Sequence, residues 1–206
     1  MFKITFFIKQ SWLLVVAAFF FGLVLAIAQA GLGPKIAANE AAKLNKLMSR
    51  LITDANDFEI LAEDIEIKAA KGKTLKTSVY QGLTAEGQKC GYAFIAEGPG
   101  FADKIRLVIG LDREFKTIQG FEVLSSNETP GFGDKIGHDF YSKQYVGAPV
   151  GRIKLVKAGD NTIIDDTVVA ITGATVSSTA VVNIFNTYVN GLEKQLTSKG
   201  LIHHDY

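Results

Sequence analysis

Between Ser11 and Ala30 the chain reads SWLLVVAAFFFGLVLAIAQA, with polar side chains only at its two ends, Ser11 and Gln29. Twenty residues at about 1.5 Å each make a helix of about 30 Å, the thickness of a hydrocarbon core. A core helix of this length in a soluble protein carries a polar stripe, and this segment has none. Trp12 stands at one end, where an indole suits a membrane–water interface. The pattern predicts a membrane helix over residues 10–30, with residues 1–9 as a short head and residues 31–206 as a domain on the opposite side. Ala28-Gln29-Ala30 also fits the small-x-small pattern of a signal cleavage site. The apolar run exceeds a signal core, however, so it reads as an uncleaved anchor in contact with membrane lipid. Charge does not orient it: Lys3, Lys9 and the α-amino group are set against Lys35, Lys43, Lys46 and Arg50.

At 206 residues one domain is the default for the remainder. The chain has 22 Lys and Arg against 21 Asp and Glu, which argues against a nucleic-acid partner. Setting aside Lys3 and Lys9 leaves residues 31–206 with 20 basic and 21 acidic groups. An apolar content of 48% excludes a mostly disordered chain. A single cysteine, Cys90, excludes a disulfide framework or a cysteine-held metal cluster and reads as a small buried hydrophobe. Three histidines leave little for a metal centre, and His203-His204-Asp205 reads as a solvated tail. No metal site is assigned.

Gly31-Leu32-Gly33-Pro34 predicts the end of the first helix. Asn39 then caps a second, over residues 40–52, whose Ala41, Leu44, Leu47, Met48 and Leu51 share one face. Residues 64–126 alternate as strands: Ile65, Ile67 and Ala69, then Leu75, Thr77 and Val79, then Tyr92–Ala96, Ile105–Leu111 and Phe115–Leu124. Such short spacings predict antiparallel hairpins. Arg152–Lys157 and Asp166–Ile171 read as further strands, and Ser177–Leu196 as a long helix with Val181, Phe185, Tyr188, Leu192 and Leu196 on its apolar face. Gly191 costs that helix about 1 kcal/mol relative to alanine. The expected fold is α+β, with an antiparallel sheet and flanking helices on a single N-terminal membrane helix.

Two segments carry chemistry. Thr172-Gly173-Ala174-Thr175-Val176-Ser177-Ser178 lies between a strand and the long helix. Free N–H groups at a helix start favour a phosphate, and the hydroxyls of Thr172, Thr175, Ser177, Ser178 and Thr179 cluster there. Ordinary N-capping by Ser and Thr explains the same residues. Glu128-Thr129-Pro130-Gly131-Phe132-Gly133 suits a type II turn whose backbone approaches a flat ligand, with Phe132 able to stack on it. A plain surface turn explains that run equally well.

Taken together, the two segments resemble the paired motifs of a flavoprotein family. Thr172-Gly173-Ala174-Thr175 is similar to the S/T-G-A-T flavinylation motif, and Glu128 to Gly133 to the E-T-P-G-x-G loop upstream of it. Gly98-Pro99-Gly100-Phe101 looks like the family's earlier glycine-aromatic loop. Motif order, spacing and the single anchor resemble the G subunits of Rnf complexes over about residues 1–197; the NqrC subunits of sodium-translocating quinone reductases share the domain. One position departs from the pattern: Val169 stands six residues before Thr175, where many members have an acid.

The resemblance implies FMN joined by a phosphodiester to Thr175, with Thr172, Gly173, Ala174 and Ser178 as motif neighbours and Glu128, Thr129, Gly131 and Gly133 lining the flavin. It implies a flavin transferase during maturation and a place among the subunits of a membrane complex. That complex moves electrons between ferredoxin and NAD, coupled to Na⁺ or H⁺ transport. It also orients the chain in the inner membrane, with the head cytoplasmic and the domain extracytoplasmic. Such a subunit is a carrier, with no catalytic residue assigned, rather than an enzyme on its own. The alternatives are an NqrC-like subunit or a non-redox anchored scaffold. A hydrolase lacks a nucleophile elbow beside His138, the one histidine inside the domain, and nothing in the anchor suggests pilin-like assembly. N-terminal sequencing of the mature protein is expected to return residues upstream of Gly31; a start at Gly31 removes the anchor.

Overall fold

The computed structural model describes residues 2–68, 72 and 74–202, with side chains from Ser11 onward. Ala69 and the His203-His204-Asp205 tail lie outside the described residues. The first element is one continuous helix, α1 (Phe2–Leu51), so the break expected at Gly31–Pro34 does not occur and Asn39 is interior rather than a cap. Pro34 lacks only its own N–H, and a Cβ built on Gly31 or Gly33 meets nothing within 4 Å. Strong helix formers (Ala, Lys, Leu, Met and Glu) fill the turns that follow and carry the helix past the proline. The chain divides within α1 into two compact units, Met1–Lys43 and Leu44–Tyr206. In the first, Leu14, Phe19, Phe21 and Leu25 are all exposed. The stretch Ser11–Leu51 is long and apolar enough to cross a membrane, with a mean hydropathy of 2.5 over its most apolar window.

The second unit is built on a five-stranded antiparallel meander in the order β1 (Asp57–Lys68), β2 (Thr74–Leu83), β3 (Lys89–Pro99), β4 (Lys104–Asp112) and β5 (Ile118–Ser125). Successive side chains of a strand face opposite ways, and here both faces are covered. On one face Tyr92, Phe94 and Ala96 of β3 and Ile105, Leu107, Ile109 and Leu111 of β4 join the main core with α3 (Thr175–Ser198). On the other, Ala93 and Val108 pack with Leu47, Met48 and Leu51 from the last turns of α1. That double burial is why residues 105–111 read as a near-continuous apolar run. Gly110 lets α1 approach closely, because a Cβ there would sit 2.9 Å from Leu51 Cβ.

Three local expectations are corrected, and one stretch that the sequence left unread takes on structure. Phe115 is not in a strand; it is buried in a turn at φ 57°, held by Lys116 N–H donating to Asp112 Oδ1 at 2.7 Å and Thr117 Oγ1 to Asp112 Oδ2 at 2.8 Å. β6 (Lys154–Val156) and β7 (Thr167–Val169) are shorter than expected and pair in parallel as a separate two-stranded sheet, because the loop between them crosses over instead of turning back. Residues 133–145 fold into short helical turns around α2 (Asp139–Ser142), burying Ile136, Tyr141 and Tyr145. Cys90 is half-buried rather than buried.

Gly191 is in the helix for its missing side chain: a Cβ there would lie 2.6 Å from Cγ2 of the buried Ile67. Propensity alone makes Gly191→Ala stabilising by about 1 kcal/mol. Overpacking against a stiff β-branched neighbour outweighs it, so the substitution is expected to destabilise by about 1–3 kcal/mol. A lower midpoint in chemical denaturation at unchanged slope is the expected result, and a raised midpoint contradicts the packing argument.

Candidate functional site

Three loops converge where α3 begins. The first joins β3 to β4, with Gly100 N–H donating to Asp103 O at 2.8 Å. The second follows β5 and contains the expected type II turn. Phe132 N–H donates to Thr129 O at 3.1 Å across Pro130 and Gly131, and Gly131 has φ +79°. The third precedes α3, where Ala174 N–H donates to Ile171 O at 2.9 Å and Gly173 has φ +81°.

Glu128 ties the loops together from behind. It is 5% exposed. Its Oε1 accepts the N–H groups of Phe101 at 2.8 Å and Ala102 at 3.1 Å, and its Oε2 accepts the Ser177 hydroxyl at 2.5 Å. A Cβ on Gly100 would collide with Oε1, and one on Gly133 would lie 2.7 Å from both Oε2 and Ser177 Oγ. The glycines of two loops are therefore required by one carboxylate.

The hydroxyls at the start of α3 are mostly committed. Ser177 donates to Glu128. Ser178 Oγ accepts from Ile171 N–H and donates to Ala174 O, both at 3.0 Å. Thr179 Oγ1 donates to Thr175 O at 2.7 Å. The N-cap residue is Ala174, with no side-chain cap, and the first turn holds no acid. Capping by Ser or Thr, the plain explanation of this run, is thus not what the hydroxyls do. The first-turn N–H groups are left for another partner.

Behind the turn, the Tyr141 hydroxyl donates to Ser178 O at 3.2 Å and lies 2.9 Å from the Tyr145 hydroxyl, which therefore donates to it. Gln144 brackets Val169, accepting its N–H at 2.8 Å and donating to its carbonyl at 3.3 Å.

The loops enclose a cavity of about 420 Å³. Of the residues singled out in the sequence, Thr129, Gly133, Gly173, Ala174 and Thr175 line it. Thr172, Gly131, Glu128 and Ser178 do not; the last two lie behind the wall. Phe101 and Phe132 flank the cavity from separate loops, 66% and 55% exposed, and Val176 and Ser177 complete it. Ser177 stood in the hydroxyl run, but only its contact with Glu128, 49 residues away, separates it from its neighbours. Val176 gives no sequence signal.

Residues 100–190, from the β3–β4 loop into α3, which include these three loops, match the family described as FMN-binding domain. The chain is 31% identical over 157 residues to the G subunit of the ion-translocating oxidoreductase complex of Methanosarcina acetivorans, covering 76% of this chain and 78% of that one. It is 27% identical to the G subunit of the proton-translocating ferredoxin:NAD(+) oxidoreductase complex of Clostridium ljungdahlii, over 82% of each. The crystal structure of Shewanella oneidensis NqrC shares the fold, with a TM-score of 0.56 at 21% identity over 72% of this chain and 73% of that one. The chain belongs to the family of G subunits of ion-translocating oxidoreductase complexes.

Burial pushes the Tyr141 phenol up to about 12 and the Tyr145 phenol well above its ordinary range. Unfolded tyrosines ionise near pH 10. As pH rises from about 10 towards 12 the unfolded state loses protons that the folded state keeps, so stability falls through that window. Below it the pair adds no pH dependence. Denaturation midpoints that drop above pH 10 in the native protein, and drop less in Tyr141→Phe, are the expected outcome.

Proposed function

We propose that this chain carries FMN through a phosphodiester on Thr175 and passes electrons within a membrane-bound ferredoxin:NAD oxidoreductase complex coupled to Na⁺ or H⁺ transport. One observation carries the attachment site. Of the five hydroxyls around the start of α3, Thr175 alone both lines the cavity and has no hydrogen-bond partner for its Oγ1 among the described residues. Thr172 is also uncommitted but does not line the cavity. The other three hydroxyls are held by Glu128 or by backbone.

The residues present fit the group. An uncapped, acid-free helix start suits a phosphate that keeps one negative charge. Gly133 and Gly173 leave the wall without side chains, and a Cβ on Gly173 would press on the Phe132 ring at 3.2 Å. Phe101 and Phe132 offer exposed aromatic faces to a flat ring. When bound, FMN supplies one- and two-electron transfer. In this reading Thr175 Oγ1 anchors it, Gly173 and Ala174 shape the floor, and Thr129 and Gly133 edge the ring. Glu128 and Ser178 hold the loops that do so, Gly131 sets the turn, and Thr172 leads into the next.

The partners in this reading are a flavin transferase during maturation, the other subunits of the complex, and lipid around residues 10–30. The head is cytoplasmic and the domain lies outside the inner membrane, where a covalent link keeps a cofactor that diffusion would otherwise lose. The FMN-binding domain and the family of the relatives support this reading over a scaffold without a cofactor.

Protein made in cells that have the transferase is expected to show flavin fluorescence in denaturing gels, and Thr175→Ala to abolish it. A Thr175→Ala band as bright as the native one removes the assignment.

A further inference from the structure

The Glu128 carboxylate does more than its position in a loop requires. Its three donors, two backbone N–H groups and one hydroxyl, are all neutral. No cation is paired with it among the described residues. It is a buried negative charge stabilised by dipoles alone. Its separation from the cavity is thin. Gly133 and Ser177 both line the cavity, Ser177 Oγ is 2.5 Å from Oε2, and a Cβ on Gly133 would lie 2.7 Å from the same oxygen. On this side a side-chain-free peptide and one hydroxyl separate that oxygen from the cavity.

We propose that Glu128 is a positioning residue that also tunes the cofactor: its fixed charge behind the cavity wall lowers the reduction potential of a flavin held there. The proposal rests on the FMN reading of the site. Uptake of two electrons and one proton leaves the ring one unit more negative than before. A fixed negative charge across a thin, low-dielectric wall opposes that uptake. Charge beside the ring is one of the means by which a protein sets a flavin's electronics. The Ser177 hydroxyl, with its hydrogen directed to Oε2, screens part of the charge from the cavity.

Two substitutions separate this role from loop-holding. Glu128→Gln keeps the shape and an acceptor for Phe101 and Ala102 but removes the charge. Ser177→Ala keeps the charge and removes its screen. If Glu128 only holds the loops, both variants loosen the site and move the potential the same way or not at all. If it tunes the cofactor, they move it in opposite directions.

The experiment is a spectroelectrochemical titration at pH 8 of the native protein and both variants, each first checked for covalent flavin by fluorescence in a denaturing gel. The expected result is a rise in Glu128→Gln equivalent to a tenfold or larger change in the reduction equilibrium, about 30 mV for a two-electron couple. Ser177→Ala is expected to fall below the native value. A potential in Glu128→Gln equal to or below native overturns the proposal while leaving the flavin site intact. Should Glu128→Gln carry no flavin, Ser177→Ala decides: below native supports the proposal, at or above native overturns it. Native protein without flavin removes the FMN reading, and this proposal with it.

Discussion

A buried carboxylate must find donors or it destabilises the fold that buries it. Glu128 finds three, and they come from segments 26, 27 and 49 residues away. That requirement explains the site's spacing. The type II turn over Thr129–Phe132 reverses the chain so that Gly133 returns against the Glu128 side chain. Gly100 meets the same carboxylate from the β3–β4 loop, and Ser177 reaches it from the first turn of α3. A change at any of the four positions is felt by the other three.

The sheet makes this geometry stiff. α3 lies against one face of the meander through Val181, Phe185, Tyr188 and Leu192, so the turn that presents Thr175 is the end of a packed element. Tyr141 and Tyr145 fasten the same turn from below through the Ser178 carbonyl. A site on the end of a rigid helix is better placed than one on a free loop. The exposed parts, Phe101, Phe132, Val176 and Thr175, are those that face the cavity.

Much of this was legible in the sequence where local chemistry decides the outcome. Alternation marked the antiparallel strands, and Pro130-Gly131 marked the turn. The apolar run 11–30 marked a stretch that is long and apolar enough to cross a membrane. Where distant contacts decide, the sequence was silent or misleading. Pro34 after Gly31 and Gly33 looked like a stop, yet it removes one hydrogen bond from a helix rich in strong formers. Phe115 stood at the start of an expected strand but takes a left-handed turn because Asp112 and Thr117 close it. Tyr141 and Tyr145 lie in a polar, glycine-bearing stretch whose helical turns form only because the core accepts both rings. At the site, the motif singled out Thr175, but the five hydroxyls around it look alike until Glu128 claims Ser177, Ile171 and Ala174 claim Ser178, and the Thr175 carbonyl claims Thr179. Glu128 itself was expected beside the ligand and lies behind the wall, a placement that depends on Phe101 and Ala102.

The central claim is a bond between Thr175 Oγ1 and the phosphate of FMN. Intact-mass measurement of the protein purified from its native membrane, followed by peptide mapping, tests it most directly. The account predicts an added mass of one FMN less one water, confined to the peptide containing Thr175. A native chain with Thr175 unmodified, or with the added mass on another residue, contradicts it.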